Sequence, residues 1–220
     1  MVPGSVEAAV DRLRADEVDA GAALLGRSFV DEALFAYLFA GKERSRVERA
    51  IVPWFRSFIR TFLADGEIHS ARLDGRLLGV GVRTPPGAVP LRGVRKAGFM
   101  ASVILATVRM VATSRTARGL MTVASQLEEL EPHEPFYGLS WVGVEPEFQG
   151  RGVGRVLADA AVRRADEIRA LAWLVTFGPD TRALYERRGF VVEQEFRPLS
   201  AGPIGWTMRR EPQPVTADVD

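Results

Sequence analysis

Residues 149–155 read Gln-Gly-Arg-Gly-Val-Gly-Arg, between an apolar run, Phe136 to Val144, and an amphipathic run ending near Ile168. Strand, glycine-rich turn and helix in that order aim backbone N–H groups at a phosphate. Glycine lets the ligand close, because no Cβ stands between the amides and the ligand oxygens. No Lys-Ser/Thr pair follows, so the loop is not a nucleotide P-loop. Arg155 holds the position where a dinucleotide fingerprint needs its third glycine.

The flanking chain reads as one α/β domain over residues 7–211, with residues 1–6 and 212–220 as loose tails. A short strand is expected near Ala8–Leu13. A helix starts at Ala15-Asp16 and runs to Phe29, with Val18, Ala22, Leu25 and Phe29 on one face. A second helix covers about Glu43 to Leu63, with Pro53 expected to kink or divide it. Residues 67–73 and 76–84 form two strands joined at Asp74-Gly75, a strong hairpin signal. A helical section, 93 to 130, breaks at Gly119 or within Thr113–Thr116. It is apolar on two faces, which favours burial; a pocket roof or a contact in a homodimer are the other uses of such faces.

Phe136 to Val144 is apolar on both sides, as an interior strand is. In the helix that follows, Leu157, Ala161, Ala165 and Ile168 turn inward, and Asp159 and Arg163 form an exposed i,i+4 pair. Ala172 to Thr176 is another strand. Asp180 caps a short helix that Gly189 ends. Phe190–Phe196 and Gly205–Arg210 close the domain as a hairpin.

The 220 residues carry a net charge of only +1, so no strong field recruits nucleic acid or a membrane surface. With no cysteine and two histidines, His69 and His133, neither a thiolate nor a convincing metal site is expected. The most apolar window, Gly98 to Val108, is too short to span a bilayer. The first residues lack the basic and apolar regions of an export signal, and a cytoplasmic protein is expected.

The pattern Gln149-x-x-Gly152-x-Gly154 resembles the pyrophosphate loop of the GCN5-related N-acetyltransferases (GNAT). The likeness extends to Glu134-Pro135, Leu139, Val142-Gly143-Val144-Glu145-Pro146 and Tyr185-Glu186-Arg187-Arg188-Gly189-Phe190, which resemble the puromycin N-acetyltransferase-like branch. It covers most of residues 8–210, is specific in the last third, and is faint over 87–130. It implies a single domain with a mixed, mostly antiparallel sheet flanked by helices. It also implies acetyl transfer from acetyl-CoA to a small-molecule amine by direct attack, without metal, with antibiotic resistance as one role. Two alternatives stand beside this reading: a non-catalytic acyl-CoA sensor, and a protein or peptide acetyltransferase.

Such a reaction must hold a pyrophosphate, stabilise charge on the thioester oxygen, and move protons from amine to thiolate. The resemblance assigns the pyrophosphate to Gln149, Gly150, Arg151, Gly152, Val153, Gly154 and Arg155. It assigns the pantetheine arm and thioester to the backbone of Val142, Gly143 and Val144, on a strand splayed from its neighbour. Tyr185 is the expected acid toward the thiolate. The base stays open among Glu131, His133, Glu134, Glu67, His69 and water. The chain departs from the branch at Phe136-Tyr137-Gly138, Val175 and Phe177, and at Pro179-Asp180-Thr181, where the branch often has an asparagine. The acceptor is therefore less well inherited than acetyl-CoA.

Overall fold

The computed structural model describes residues 7–65, 67–88, 93–110 and 114–214. The tail expected at 1–6, residues 215–220 of the tail expected at 212–220, and any break at 111–113 lie outside the described residues. The strands are β1 (Ala9–Arg12), β2 (Ile68–Leu73), β3 (Arg76–Thr84), β4 (Phe136–Val144), β5 (Leu171–Thr176), β6 (Val191–Phe196) and β7 (Gly205–Arg210). They form one sheet in the order β1-β2-β3-β4-β5-β7-β6. Only β4 and β5 run parallel. The α-helices are α1 (Val18–Phe29), α2 (Ala33–Leu38), α3 (Arg44–Leu63), α4 (Gly93–Met110), α5 (Ser114–Leu130), α6 (Val153–Glu167) and α7 (Pro179–Glu186). The expected single α/β domain with a mixed, mostly antiparallel sheet is what the chain forms.

Helices α1 and α3 cover one face, with Ala22, Leu24, Leu25, Ile51, Phe55 and Ile59 fully buried against Val80 and Val82. Pro53 neither divides α3 nor ends it. An interior proline costs about 3 kcal/mol, and the stripe Val47, Ile51, Phe55, Ile59, Phe62 buries enough apolar surface on both sides of it to offset that. Helix α6 covers the other face through Val153, Leu157, Ala158, Ala161 and Ala165. It seats directly on Gly79, where a Cβ would come within 2.9 Å of Leu157.

Four expectations change. Residues 33–38 form a helix, α2, that the short Asp31–Leu38 run did not announce. Helix α4 is not buried, because it packs on α3 outside the sheet layer: Phe99 reaches Phe58 and Phe62, while Met100, Ile104 and Leu105 stay exposed. Asp159 turns from Arg163 to Arg188, whose Nε donates at 2.7 Å. Helix α7 is capped by Gly178 with Pro179 in its first turn, not by Asp180.

The late hairpin is fastened to α6 by charge. Arg210, nearly buried, donates two hydrogen bonds to Asp166, at 2.7 and 3.0 Å, and a third to the Arg188 carbonyl. The backbone N–H of Gln213 also donates to Asp166, at 2.7 Å, so the chain stays docked past residue 211. Burial acts to raise the pKa of Asp166, but Arg210 and the Gln213 N–H outweigh it, and the net shift is downward.

Candidate active site

Strand β4 belongs to the sheet on both sides for only three residues. Phe136, Tyr137 and Gly138 pair with Leu171, Ala172 and Trp173, and there the β4–β5 ladder stops. Beyond it β5 keeps only its β7 partner, to Thr176, while β4 stays with β3 as far as Val144. The register with β3 slips at the same place: Val82 faces Trp141 and Arg83 faces Leu139, leaving Ser140 as an extra residue. A bulge bends and twists its strand, so slip and separation together open a wedge in the sheet. This is the splay that the sequence likeness implied.

Ladder alternation decides what faces the wedge. The Glu145 N–H bonds the Leu78 carbonyl, so Gly143 and Trp141 point their backbone groups at β3, and Val142 and Val144 point theirs into the gap. The gap-facing groups of Val144 are taken: its N–H donates to Ser28 Oγ at 3.2 Å, and its carbonyl accepts from Gln149 Nε2 at 3.2 Å. Val142 offers the backbone groups that an extended amide-bearing ligand would pair with. Gln149 thus braces the strand, and Gly143 faces Ser28 and Leu25.

The glycine loop follows at the wide end. Gly150 and Gly152 have φ of +75° and +92°, a conformation that costs an L-residue about 1–2 kcal/mol. A Cβ at either would meet nothing within 4 Å, so the space beside both is open. Gly152 caps α6, and the first-turn N–H groups of Val153, Gly154 and Arg155 have no carbonyl one turn back. These residues fit a diphosphate. Val153 itself is fully buried and anchors the turn. The Arg151 N–H turns inward to the Phe148 carbonyl, and its exposed guanidinium lies over the Phe148 ring. Arg155 is exposed beside Asp159.

Tyr185 lies on α7 and is buried on the α6 side of the sheet with Tyr137 and Leu139. Its ring meets Phe190 edge-on at 5.2 Å. Among the described residues nothing hydrogen-bonds its hydroxyl. Burial pushes its pKa up to about 12, against the lowering pull of Arg83 and Arg188. It is therefore a neutral phenol with its proton available.

A buried polar cluster adjoins it. The Tyr137 hydroxyl donates to Glu67 at 2.7 Å, and Arg164 donates to the other Glu67 oxygen at 3.2 Å. Arg83, 1% exposed, reaches His69 Nδ1 at 3.1 Å and the Leu157 carbonyl at 2.9 Å. Burial, then the Arg83 charge, lowers the His69 pKa to about 4. Glu67 is thus spent on Tyr137 and Arg164, and the half-buried His69 on Arg83. His133 and Glu134 are exposed ahead of β4, at its fully paired end, and Glu134 pairs with Arg209 at 3.3 Å. Glu131 is half-buried, and burial, then Glu128, raises its pKa. The structure brings none of these expected bases to the wedge.

The opposite face of the wedge is aromatic. Trp141 has the rings of Phe29, Trp54, Phe55 and Phe58 within 5.7 Å, and Phe35 at 6.4 Å. Phe55 and Phe35 are core, but Trp141, Trp54, Phe58 and Phe29 are only half-buried. Glu32 stands between Phe29 and Phe35 in the chain and caps α2, accepting from the Leu34 N–H at 2.9 Å. Burial raises its pKa although backbone N–H groups oppose the shift. On β5, at the last paired position, Trp173 buries its indole N–H without a partner among the described residues. Sequence reading missed Trp54, Phe58 and Glu32, and took Trp141 only for its place on the strand, because at helical and strand spacing they are indistinguishable from core and cap positions.

Residues 35–190 match the model of a protein family described as the acetyltransferase (GNAT) family. Solved structures share the fold at low identity. One is a histone acetyltransferase HPA2 and related acetyltransferase from Corynebacterium glutamicum (TM-score 0.70, 18% identity, 96% of this chain and 100% of that one). Another is a polyamine N-acetyltransferase from Drosophila melanogaster (TM-score 0.63, 17%, 93% and 100%). A third is arylalkylamine N-acetyltransferase 2 from Aedes aegypti (TM-score 0.61, 14%, 94% and 99%).

Proposed function

The chain belongs to the acetyltransferase (GNAT) family, whose members are acetyl-CoA-dependent N-acetyltransferases, and from that premise we propose that it acetylates a small-molecule amine by direct attack on acetyl-CoA. The observation that carries the proposal is the parting of β4 from β5 after Gly138, in line with the glycine loop. The two features make one track: an open strand edge for an amide-rich arm, and a helix N-terminus for a diphosphate.

Acetyl-CoA supplies the activated acyl group. The amides of Gly150, Gly152, Val153, Gly154 and Arg155 receive its diphosphate, with Arg151 and Arg155 adding charge from the surface. The Val142 backbone groups hold the arm in extended form, and Gln149 and Ser28 keep the strand straight where it leaves the loop. Tyr185 gives its proton to the departing sulfur. A phenol near 12 is a weak acid toward a free thiolate at about 8.5. The same desolvation that raises the phenol also raises a thiolate formed beside it, which narrows the gap. The amine loses its proton to water or to the Glu32 carboxylate, the half-buried cap of α2 next to the ring cluster in the chain.

The buried phenol also favours a second reading, a sensor that binds acyl-CoA without turnover. Free-thiol release from acetyl-CoA with a panel of primary amines, including puromycin, aminoglycosides, polyamines and a lysine peptide, separates the two. We expect amine-dependent release that falls at least about tenfold in Tyr185→Phe, about 1.4 kcal/mol in the barrier, with acetyl-CoA affinity unchanged. Saturable acetyl-CoA binding with no release for any amine would replace the transferase by the sensor. Puromycin and related antibiotics belong in the panel because of the likeness at 134–154 and 185–190.

A further inference from the structure

Which amine the wedge accepts is decided by what faces it opposite the glycine loop. A polyamine carries several cations and is held by several carboxylates. Here the acids near the ring cluster are already engaged. Asp19 bonds Arg56 at 2.7 Å, Asp31 bonds Arg44 at 2.7 Å, and Glu145 is paired with Arg27. Among the described residues no group of three His, Asp or Glu side chains is placed to hold a metal ion, and the three glutamates that do gather, Glu134, Glu193 and Glu211, are all paired with Arg209. Glu32, whose carboxylate caps α2, is the half-buried acid left without a cationic partner among the described residues.

What the wedge offers instead is ring surface. Trp54 and Phe58 are 4.6 Å apart, and both face Trp141, at 5.1 and 5.7 Å. All three are half-buried, and Trp141 lies on β4 beyond the point where that strand has lost its neighbour. The contacts are tilted or edge-to-face, the arrangement by which aromatic rings take up a further ring. One ammonium matches one carboxylate, and an aromatic body matches the three rings.

We propose that the acceptor is a monoamine with an aromatic body, and that Trp54 and Phe58 determine this specificity. The inference rests on the transferase reading for turnover but not for binding. Trp54 and Phe58 lie on one face of α3 and are a full layer away from α6, so their replacement leaves the diphosphate loop alone.

The test ranks phenethylamine, tyramine and tryptamine against spermidine, agmatine and hexylamine. It measures both kcat/KM and equilibrium binding by calorimetry with CoA present, for wild type, Trp54→Leu and Phe58→Leu. We expect the aryl monoamines to bind and react at least about tenfold better than the polyamines, and each variant to lose about tenfold in aryl-amine affinity with unchanged acetyl-CoA affinity. Unchanged acetyl-CoA affinity also reports that the variants are folded. Polyamines equal to or better than aryl amines, or variants that bind aryl amines as well as wild type, would overturn the proposal. If neither class is acetylated, the transferase reading falls, and the binding ranking still decides the specificity.

Discussion

On its α6 side, β4 packs against apolar α6 side chains and runs out into backbone amides, those of the glycine loop. On its α1–α3 face the same strand meets side-chain rings. The first face is generic, since any molecule with a diphosphate and an amide arm satisfies it. The second is particular, since ring positions are chosen one residue at a time. The contrast teaches why a donor is easier to read from a chain of this kind than an acceptor.

The largest effect is expected where the second face is also core. Phe55→Ala removes a fully buried ring beneath Trp141 and should cost about 3–5 kcal/mol in chemical denaturation. If the aromatic layer is as rigid as its packing, acceptor affinity falls with it. A loss under 1 kcal/mol would mean that the layer collapses freely and the comparison is overdrawn.

On the first face, Gly152→Val places a branched side chain at φ +92° and beside the open space of the loop. Acetyl-CoA affinity should drop about a hundredfold, about 2.7 kcal/mol, while acceptor affinity measured with the variant is unchanged. Equal loss for donor and acceptor would dissolve the separation of the two faces.

The smallest effect is electrostatic and confined to the interior of the α6 face. The pKa of His69 lies near 4 in the fold, against an ordinary 6.5. Between those values the unfolded chain takes up a proton that the folded chain refuses, so stability is fully present above about 6.5 and declines as pH falls toward 4. His69→Gln should flatten that part of the stability–pH curve. Identical slopes for the two proteins would show that His69 stays accessible to protons.

How much of this could be read from the chain follows the same division. Gly150 and Gly152 are legible because a positive φ leaves a mark that few residues satisfy. Asp74-Gly75 is legible for that reason too, with φ of +50° and +79°. The wedge itself was expected from family likeness alone, since a ladder that stops after Gly138 has no compositional mark. Trp54 and Phe58 obey the same 3.6 periodicity as Phe55 and Ile59, and periodicity does not tell a half-buried ring from a buried one. Helix α2 escaped notice because six residues are too few to show a period. Asp159 was given to Arg163 because local pairing is the simplest rule; the partner it has, Arg188, is 29 residues away.

A sheet that parts in its middle has an edge where most sheets have none. Edges of this kind invite a foreign strand, and proteins usually blunt them at the periphery with charge or proline. Here the exposed length is trimmed from within. Ser28 and Gln149 fill the two bonds of Val144, so the stretch left for another chain to pair with is cut back to residues 139–143. A segment that needs a run of backbone partners gains little there. A single amide arm needs only a few. The two polar side chains therefore act as a length filter: they discourage self-association through the gap while leaving room for the ligand the gap is shaped to take.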